Sequence, residues 1–174
     1  MLGSGRIYPI EGDAVKFSLS NFQDGFPAFW PALGAVDFGD WDHPTAGVWL
    51  RWDRDTDTIY IYDCYRVRRE KLAVHTKSFA ARGKWMPVAW PHDAGITQIL
   101  DRLQTGRLKV ADHLNDWWDE FRLYHRKDGR IVKEHDDLMD ATRYAIMDLP
   151  KSRLPGGGRK PKVSSVLDSY SVFD

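Results

Sequence analysis

The feature that most constrains the fold is a segment near the C-terminal end, residues 134–149, in which apolar and acidic residues both recur at helical spacing. The apolar positions follow the i, i+3, i+7, i+8, i+11 pattern of one buried helical face; they are Leu138, Ala141, Ala145, Ile146 and Leu149. Asp137 and Asp140 are three residues apart, so their side chains project from neighbouring positions on the helix. The sequence therefore predicts a packed helix that carries two carboxylates close together.

Two explanations account for these carboxylates. Acidic residues at a helix N-terminus accept hydrogen bonds from free N–H groups and interact favourably with the helix dipole. Capping explains Asp136 or Asp137 well, and it explains Asp140 less well because that residue lies almost a turn further on. The alternative is a divalent metal ion, a hard cation that prefers oxygen ligands. This segment alone favours capping slightly and leaves both explanations open.

Composition indicates one globular domain with its own core. The chain has 174 residues, is 43% hydrophobic and contains eight Trp. It has no apolar run near the roughly 20 residues of a membrane helix, and its formal net charge is zero. The single cysteine, Cys64, lies in an apolar strand pattern, so we expect a core residue and a cytosolic protein.

The first half of the chain predicts an antiparallel meander. Residues 32–39 form an apolar run that carries Asp37 near its end, and residues 45–52 and 59–67 are two further strand patterns joined by a short turn. Ionised Asp is rarely buried without a partner, so Asp37 is either a site residue or a cap of the turn at Gly39. The acidic turn at residues 53–57 lacks the Gly and the distal Glu of a calcium loop, which favours a solvated turn.

The second half alternates helices and short extended segments. Helices are predicted at residues 69–83, with Leu72, His75 or Thr76, and Phe79 inward, and at 95–106 and 113–122. Residues 86–93 predict a strand parallel to the first, which places Asp93 at its C-terminal end. Residues 121–132 predict a β-ribbon with its turn at Lys127–Arg130. Two strands and one helix thus each present an aspartate at an end.

Basic residues cluster in two places, around the helix at 69–83 and along the predicted ribbon. Such clusters are either solvated faces or surfaces that follow a phosphate backbone. The candidate DNA-binding residues are Arg66, Arg68, Lys77, Arg82, Lys84, Arg126, Lys127 and Arg130.

Four short motifs occur in a defined order: Ala35–Gly39 (AVDFG), Val88–Asp93 (VAWPHD), Glu120–Tyr124 (EFRLY) and His135–Ala145 (HDDLMDATRYA). This ordered set, within residues 1 to about 150, resembles the C-terminal nuclease domain of the large terminase subunit of tailed double-stranded DNA bacteriophages. The resemblance implies an α/β fold with a ribonuclease H-like mixed β-sheet flanked by helices. It also implies that catalytic, metal-binding carboxylates come from Asp37, Asp93 and the group Asp136, Asp137 and Asp140, of which the i, i+3 pair Asp137 and Asp140 is favoured.

By the same resemblance, we expect a metal-dependent endonuclease that cleaves concatemeric viral double-stranded DNA during packaging, with little sequence specificity. Two ions, Mg²⁺ or Mn²⁺, would act on one phosphate. Expected partners are double-stranded DNA, the terminase ATPase half, the small terminase subunit and the portal, in the host cytoplasm and without a membrane. The alternatives are a catalytically silent DNA-binding or portal-docking module, and another ribonuclease H-like nuclease of resolvase or integrase type.

The expected domain organisation is a nuclease half alone, because the chain has no Gly-x-x-x-x-Gly-Lys-Ser/Thr phosphate loop. Residues 1–30 would be an irregular arm continuing from an absent ATPase half, 31–150 the nuclease domain and 151–174 a flexible tail. One departure from the family pattern stands out. Relatives usually have a longer stretch, including a strand, between the second aspartate and the following helix, whereas here only Ala94 separates Asp93 from Gly95.

Overall fold

The core of the fold is a six-stranded mixed sheet, seen in a computed structural model that describes residues 5–83, 86–87 and 95–155. Its strands are β1 (Lys16–Phe17), β2 (Ala32–Asp37), β3 (Thr45–Asp53), β4 (Thr58–Val67), β5 (Met86–Pro87) and β6 (Leu108–Ala111). Their order across the sheet is β1-β6-β4-β3-β2-β5.

The predicted meander is confirmed, since β2 pairs antiparallel with β3 and β3 with β4. Asp37 is the last residue of β2 and lies opposite Ala46. The predicted parallel strand is confirmed over two residues, where Met86 pairs with Ala35 and Pro87 with Val36. The end of β2 that carries Asp37 is therefore also the end at which Pro87, the last residue of β5, lies.

Helices and a small ribbon surround the sheet at the predicted places. They are α1 (Leu72–Ala81), α2 (Ile96–Gln104), α3 (Asn115–Leu123), α4 (Asp137–Met147) and the ribbon strands β7 (Arg126–Lys127) and β8 (Arg130–Ile131). The ribbon turns at Lys127–Arg130, as predicted. The longest of the described helices, α4, has 11 residues, and none is long and apolar enough to cross a bilayer.

One face of the sheet is covered by α1. Phe79 packs on Trp49 and Tyr65, with ring centroids 5.8 and 5.1 Å apart, and His75 is also buried. Leu72 was predicted to face inward, and this prediction is wrong because it is 40% exposed. It is the first residue of the helix, one turn before His75, and lies outside the aromatic cluster that buries the middle of α1.

The other face holds the larger core and α4. This helix contacts β2, β3, β4, α2 and α3. All of residues 138–146 are therefore buried, and not only the residues on one face of the helix. The five predicted core residues of the segment are among the buried ones. An 11-residue helix enclosed in this way has little freedom to move, and its first turn is therefore fixed relative to the end of β2.

The N-terminal segment, predicted to be irregular, contains a strand that the sequence did not reveal. Lys16–Phe17 (β1) pairs parallel with β6, and Val15 and Phe17 are buried in the main core together with Tyr8. Residues on both sides of the predicted boundary at residue 30 thus share one core. At the other end Arg153 pairs with Ala32, and the tail from residue 156 lies outside the described residues.

Candidate active site

Asp37 presents a half-buried carboxylate towards the first turn of α4. Burial, followed by the charges of Asp140 and Asp137, raises the pKa of Asp37 to about 7. The charges of Asp37 and Asp140 also act on Tyr144. Burial, followed by these two charges, raises the pKa of Tyr144 to about 12. In the described part of the chain no hydrogen bond or ion pair holds the Asp37 carboxylate. An excess of negative charge therefore collects between β2 and α4.

Asp140 is buried and has a different partner on each oxygen. Its Oδ1 accepts hydrogen bonds from Arg143, at 2.6 Å from Nη2 and 3.2 Å from Nε. Its Oδ2 accepts one from Lys133 Nζ at 3.2 Å. Arg143 is fully buried, at 0% exposure, so Asp140 compensates a cation that has no access to water.

The N-terminus of α4 is capped by a residue from another helix. Glu120 of α3 is 3% exposed, and its Oε2 accepts the backbone N–H groups of Leu138 at 2.6 Å and Met139 at 3.1 Å. Asp136 stands at the N-cap position without a side-chain cap hydrogen bond. The hydrogen-bonding part of the capping explanation is therefore wrong, because Glu120 already satisfies the N–H groups that the aspartates would serve.

Arg66 of β4 joins this cap to the acidic turn. Its Nε lies 2.9 Å from Glu120 Oε1, as an ion pair rather than a hydrogen bond, and donates to Asp137 Oδ2 at 3.1 Å. Burial raises the pKa of Glu120 to about 8, although the N–H groups of Met139 and Leu138 and the Arg66 charge oppose that rise. A strand and two helices are thus tied together within one turn of Asp137.

A surface cavity of about 400 Å³ opens over these groups. Its lining carries both charges: Arg66, Arg68, Lys133, Asp136, Asp137 and Asp140. A second cavity, of about 520 Å³, shares Arg66 and His135 with the first and extends along α3. A lining that combines carboxylates with cations is suited to an anion that arrives together with metal cations.

The predicted site residues are brought together in part. Asp37 lies near enough to Asp137 and Asp140 for their charges to raise its pKa, whereas Asp93 and Lys84 lie outside the described residues. Across residues 5–83 and 95–155 no three His, Cys, Asp or Glu side chains form a group that could hold a metal ion. The donors nevertheless suit a divalent cation, because they are carboxylate oxygens and because the Asp37 carboxylate has no hydrogen bond or ion pair within the described residues.

The predicted DNA-binding residues fall into different surroundings. Arg66 and Arg68 line the cavity, Lys77 is exposed on α1, and Arg126, Lys127 and Arg130 belong to the ribbon. Arg82 has an internal contact, since its Nε donates to Asp63 at 2.9 Å and its guanidinium lies over Trp49 and Tyr65. A contact with DNA stays a prediction for the whole set.

Three residues that shape the site were not singled out from sequence: Glu120, Lys133 and Arg143. One signal was present for Glu120, which lies three residues after Trp117 on the same side of α3 and is therefore an acid on an apolar helical face. Lys133 appeared only as one member of a basic stretch, and its specific role depends on the loop that folds it over α4.

Comparison with known proteins identifies the family. The family model of the terminase RNase H-like domain matches residues 94–149. The large terminase subunit of Salmonella phage P22 is 32% identical over 207 residues, covering 95% of this chain and 40% of the relative. The solved nuclease domain of P22 large terminase superposes with a TM-score of 0.76 at 28% identity, over 88% of this chain and 97% of that domain. The chain belongs to the large-terminase nuclease domains.

The predicted RNase H-like fold is thereby confirmed for this terminase nuclease domain. A more distant neighbour with the same fold is the nuclease domain of the SPP1 large terminase g2p, solved with bound Mn, at a TM-score of 0.50 and 17% identity over 67% of this chain and 85% of that one. The chain spans less than half of the P22 large subunit. The match to that subunit is also longer than the 174 residues of this chain, so the relative contains residues without a counterpart here.

Proposed function

We propose that this domain is a metal-dependent endonuclease that cleaves concatemeric viral double-stranded DNA during genome packaging in the host cytoplasm. The observation that carries the proposal is the approach of the Asp37 carboxylate to the acidic first turn of α4, which lines a surface cavity together with Arg66, Arg68 and Lys133. The P22 and SPP1 relatives support it, since both are described as large terminase nuclease domains and the SPP1 structure contains Mn.

Asp37, Asp140 and Asp137 would hold the cations, together with Asp93. Divalent ions bound there would supply an activated water and would stabilise the leaving oxygen of the phosphodiester. Mg²⁺ or Mn²⁺, in two positions, suits carboxylates combined with water and phosphate oxygens.

The protein's own part is to fix its charges before the substrate arrives. Arg143 keeps Asp140 in one orientation, and Glu120 and Arg66 hold the first turn of α4 and the Asp137 carboxylate in place. Arg66 and Arg68 in the cavity lining would meet the DNA backbone. Contacts of this kind do not read bases, so we propose little sequence preference and binding that weakens steeply with salt.

The terminase ATPase half, the small subunit and the portal are proposed partners, since this chain spans 40% of the P22 large subunit. One observation favours the rival proposal of a silent docking module: Asp137 and Asp140 are already paired with Arg66, Arg143 and Lys133. Fully paired carboxylates need no metal ion. The experiment must therefore separate a paired structural cluster from an active one.

A plasmid-nicking assay in Mn²⁺ or Mg²⁺ makes this distinction. We expect Asp37→Asn to reduce nicking by about 100-fold or more, because it removes a charged ligand from the reacting centre. Asp57→Asn is the matched control, being the same chemical change in an acidic turn with no proposed role, and should cleave like the wild type. Undiminished nicking by Asp37→Asn would defeat the proposal. Faster cleavage of a four-way junction than of linear duplex would favour a resolvase.

A further inference from the structure

The ammonium group of Lys133 lies against two carboxylates of the site. Lys133 lies in the loop between β8 and α4, and its Nζ is 3.1 Å from Asp136 Oδ2 and 3.2 Å from Asp140 Oδ2. Its positive charge also acts on the carboxylate of Asp37 in β2. One ammonium group therefore acts on three carboxylates that come from two different elements.

The two cations on Asp140 differ in how easily they can leave. Arg143 is fully buried, reaches Asp140 Oδ1 through two nitrogens, and has no path to water. The Lys133 side chain is 43% exposed and extends from a loop, so it can exchange its carboxylate contacts for water at low cost. The Oδ1 side of Asp140 is thus permanently compensated, whereas the Oδ2 side is compensated by a removable charge.

Asp136 reinforces this asymmetry. It is buried, at 7% exposure, at the N-cap position of α4. Its Oδ2 is shielded from water and has no hydrogen-bond partner of good geometry, although Lys133 lies 3.1 Å away. A directly coordinated cation would stabilise a buried oxygen in this position better than the present contact with Lys133 does.

We propose that Lys133 is a resident counter-ion, which holds the cation position at Asp136 and Asp140 and swings out when a divalent ion enters. This role rests on the proposed metal-dependent function, which it deepens by naming a residue that competes with the ion. Because the ion must displace the ammonium, the apparent affinity for metal is lower than the carboxylates alone would give. The free domain would then bind metal weakly, with its carboxylates compensated until the ion is present.

Calorimetric titration with Mn²⁺ tests the competition directly. Lys133→Met removes the ammonium but keeps the length of the side chain, and we expect it to tighten Mn²⁺ binding about three- to tenfold. Lys133→Arg keeps a cation and should stay near the wild-type affinity. Arg68→Met removes a positive charge from the lining of the same cavity without touching a carboxylate, and should change the affinity by less than about twofold. Unchanged or weaker Mn²⁺ binding by Lys133→Met would overturn the proposal.

Thermal unfolding gives a readout that does not depend on catalysis. Without metal, Lys133→Met leaves the carboxylates uncompensated and should unfold at a lower temperature than the wild type. With saturating Mn²⁺ its melting temperature should rise by more than that of the wild type. If Lys133→Met does not fold, Lys133→Gln, which retains a hydrogen-bond donor, takes its place. Equal Mn²⁺-induced shifts in wild type and variant would count against the proposal.

The two proposals fail in different ways. If the wild type binds Mn²⁺ and nicks DNA, and Lys133→Met binds no more tightly, then Lys133 is an ordinary ion-pair partner and the nuclease assignment stands. If neither protein binds Mn²⁺, both the counter-ion role and the metal-dependent function are lost. Tighter binding by Lys133→Met that disappears in the double variant with Asp37→Asn supports both.

Discussion

Two acidic clusters in this domain look alike in the sequence and differ in the structure. In the turn between β3 and β4, Asp57 accepts hydrogen bonds from Trp52 at 2.9 Å, Arg102 at 3.0 Å and Arg107 at 2.7 Å. Burial acts to raise the pKa of Asp57, but the hydrogen bonds from Arg102 and Trp52 outweigh it and the pKa is lowered. At the end of β2, burial and the neighbouring carboxylates instead raise the pKa of Asp37 to about 7.

The difference lies in the supply of donors rather than in the number of aspartates. The turn receives two guanidinium groups for one central carboxylate, so its charge is balanced within the fold. The β2–α4 site gathers Asp37, Asp136, Asp137 and Asp140, and it pairs Asp137 with Arg66 and Asp140 with Arg143. Asp136 depends on Lys133, a side chain that is 43% exposed, and Asp37 has no hydrogen bond or ion pair among the described residues. A cluster that is balanced internally stabilises the fold, whereas one that is not balanced offers a place for an added cation.

The largest expected effect on stability comes from the cap that holds α4 at the site. Glu120→Ala would leave the N–H groups of Leu138 and Met139 without their acceptor and would remove a partner of Arg66. We expect a loss of about 2–4 kcal/mol in the free energy of unfolding, measured by urea denaturation. The Asp57 turn has no contact with this cap and should be unaffected.

Glu120→Gln is the matched control for this prediction. It retains an amide oxygen that can accept the same two N–H groups, so it should lose about 1 kcal/mol or less at neutral pH. Equal losses for the Ala and Gln variants would show that Glu120 matters through its charge, as in the ion pair with Arg66, rather than as the cap of α4.

A smaller effect, of opposite sign in the two clusters, is expected when each central aspartate is neutralised. Because the pKa of Asp37 is raised by folding, its contribution to stability is present at low pH and is lost as the pH rises through about 7. Asp37→Asn should therefore be more stable than the wild type by about 1–2 kcal/mol at pH 8, by less at pH 5, and by almost nothing below about pH 4, where the Asp37 carboxyl is protonated in both states. Asp57→Asn should be less stable at pH 8 by about 1–2 kcal/mol, since its charge-assisted hydrogen bonds are lost.

Unfolding of both variants in urea at pH 5 and pH 8, without divalent ions, measures this contrast. If Asp37→Asn destabilised the domain at pH 8 as Asp57→Asn is expected to do, the carboxylate of Asp37 would have a compensating partner. The charges of both clusters would then be balanced within the fold.

Much of the fold could be predicted because its elements carry strong local signals. The meander has strand patterns separated by clear turns, and the apolar face of residues 134–149 lies in the core. β1 could not be found in this way, since two residues have no periodicity and their strand conformation depends on pairing with β6, some 94 positions away in the chain. The prediction that Leu72 faces inward failed for a related reason, because helical spacing does not show where the surface that packs against the helix ends.

The site was predictable to the extent that its residues lie at the ends of elements. Asp37 could be predicted as a site residue because it is an acid at the end of a buried strand. Asp137 and Asp140 could be predicted from their i, i+3 spacing. The hydrogen-bonding part of the capping hypothesis failed because local sequence cannot show that Glu120, 18 residues before Leu138, supplies the acceptor. The position of Lys133 could not be predicted because it depends on the conformation of the loop between β8 and α4. The role of Asp93 stays a prediction.

The most direct test of the central claim is a calorimetric titration of Mn²⁺ into the wild type, Asp37→Asn and Asp57→Asn under identical conditions. The β2–α4 site predicts that the wild type and Asp57→Asn bind with the same affinity and stoichiometry, and that Asp37→Asn loses at least one ion or weakens binding by about tenfold or more. Equal binding by all three proteins would contradict the account, because the carboxylate at the end of β2 would then have no part in holding the metal.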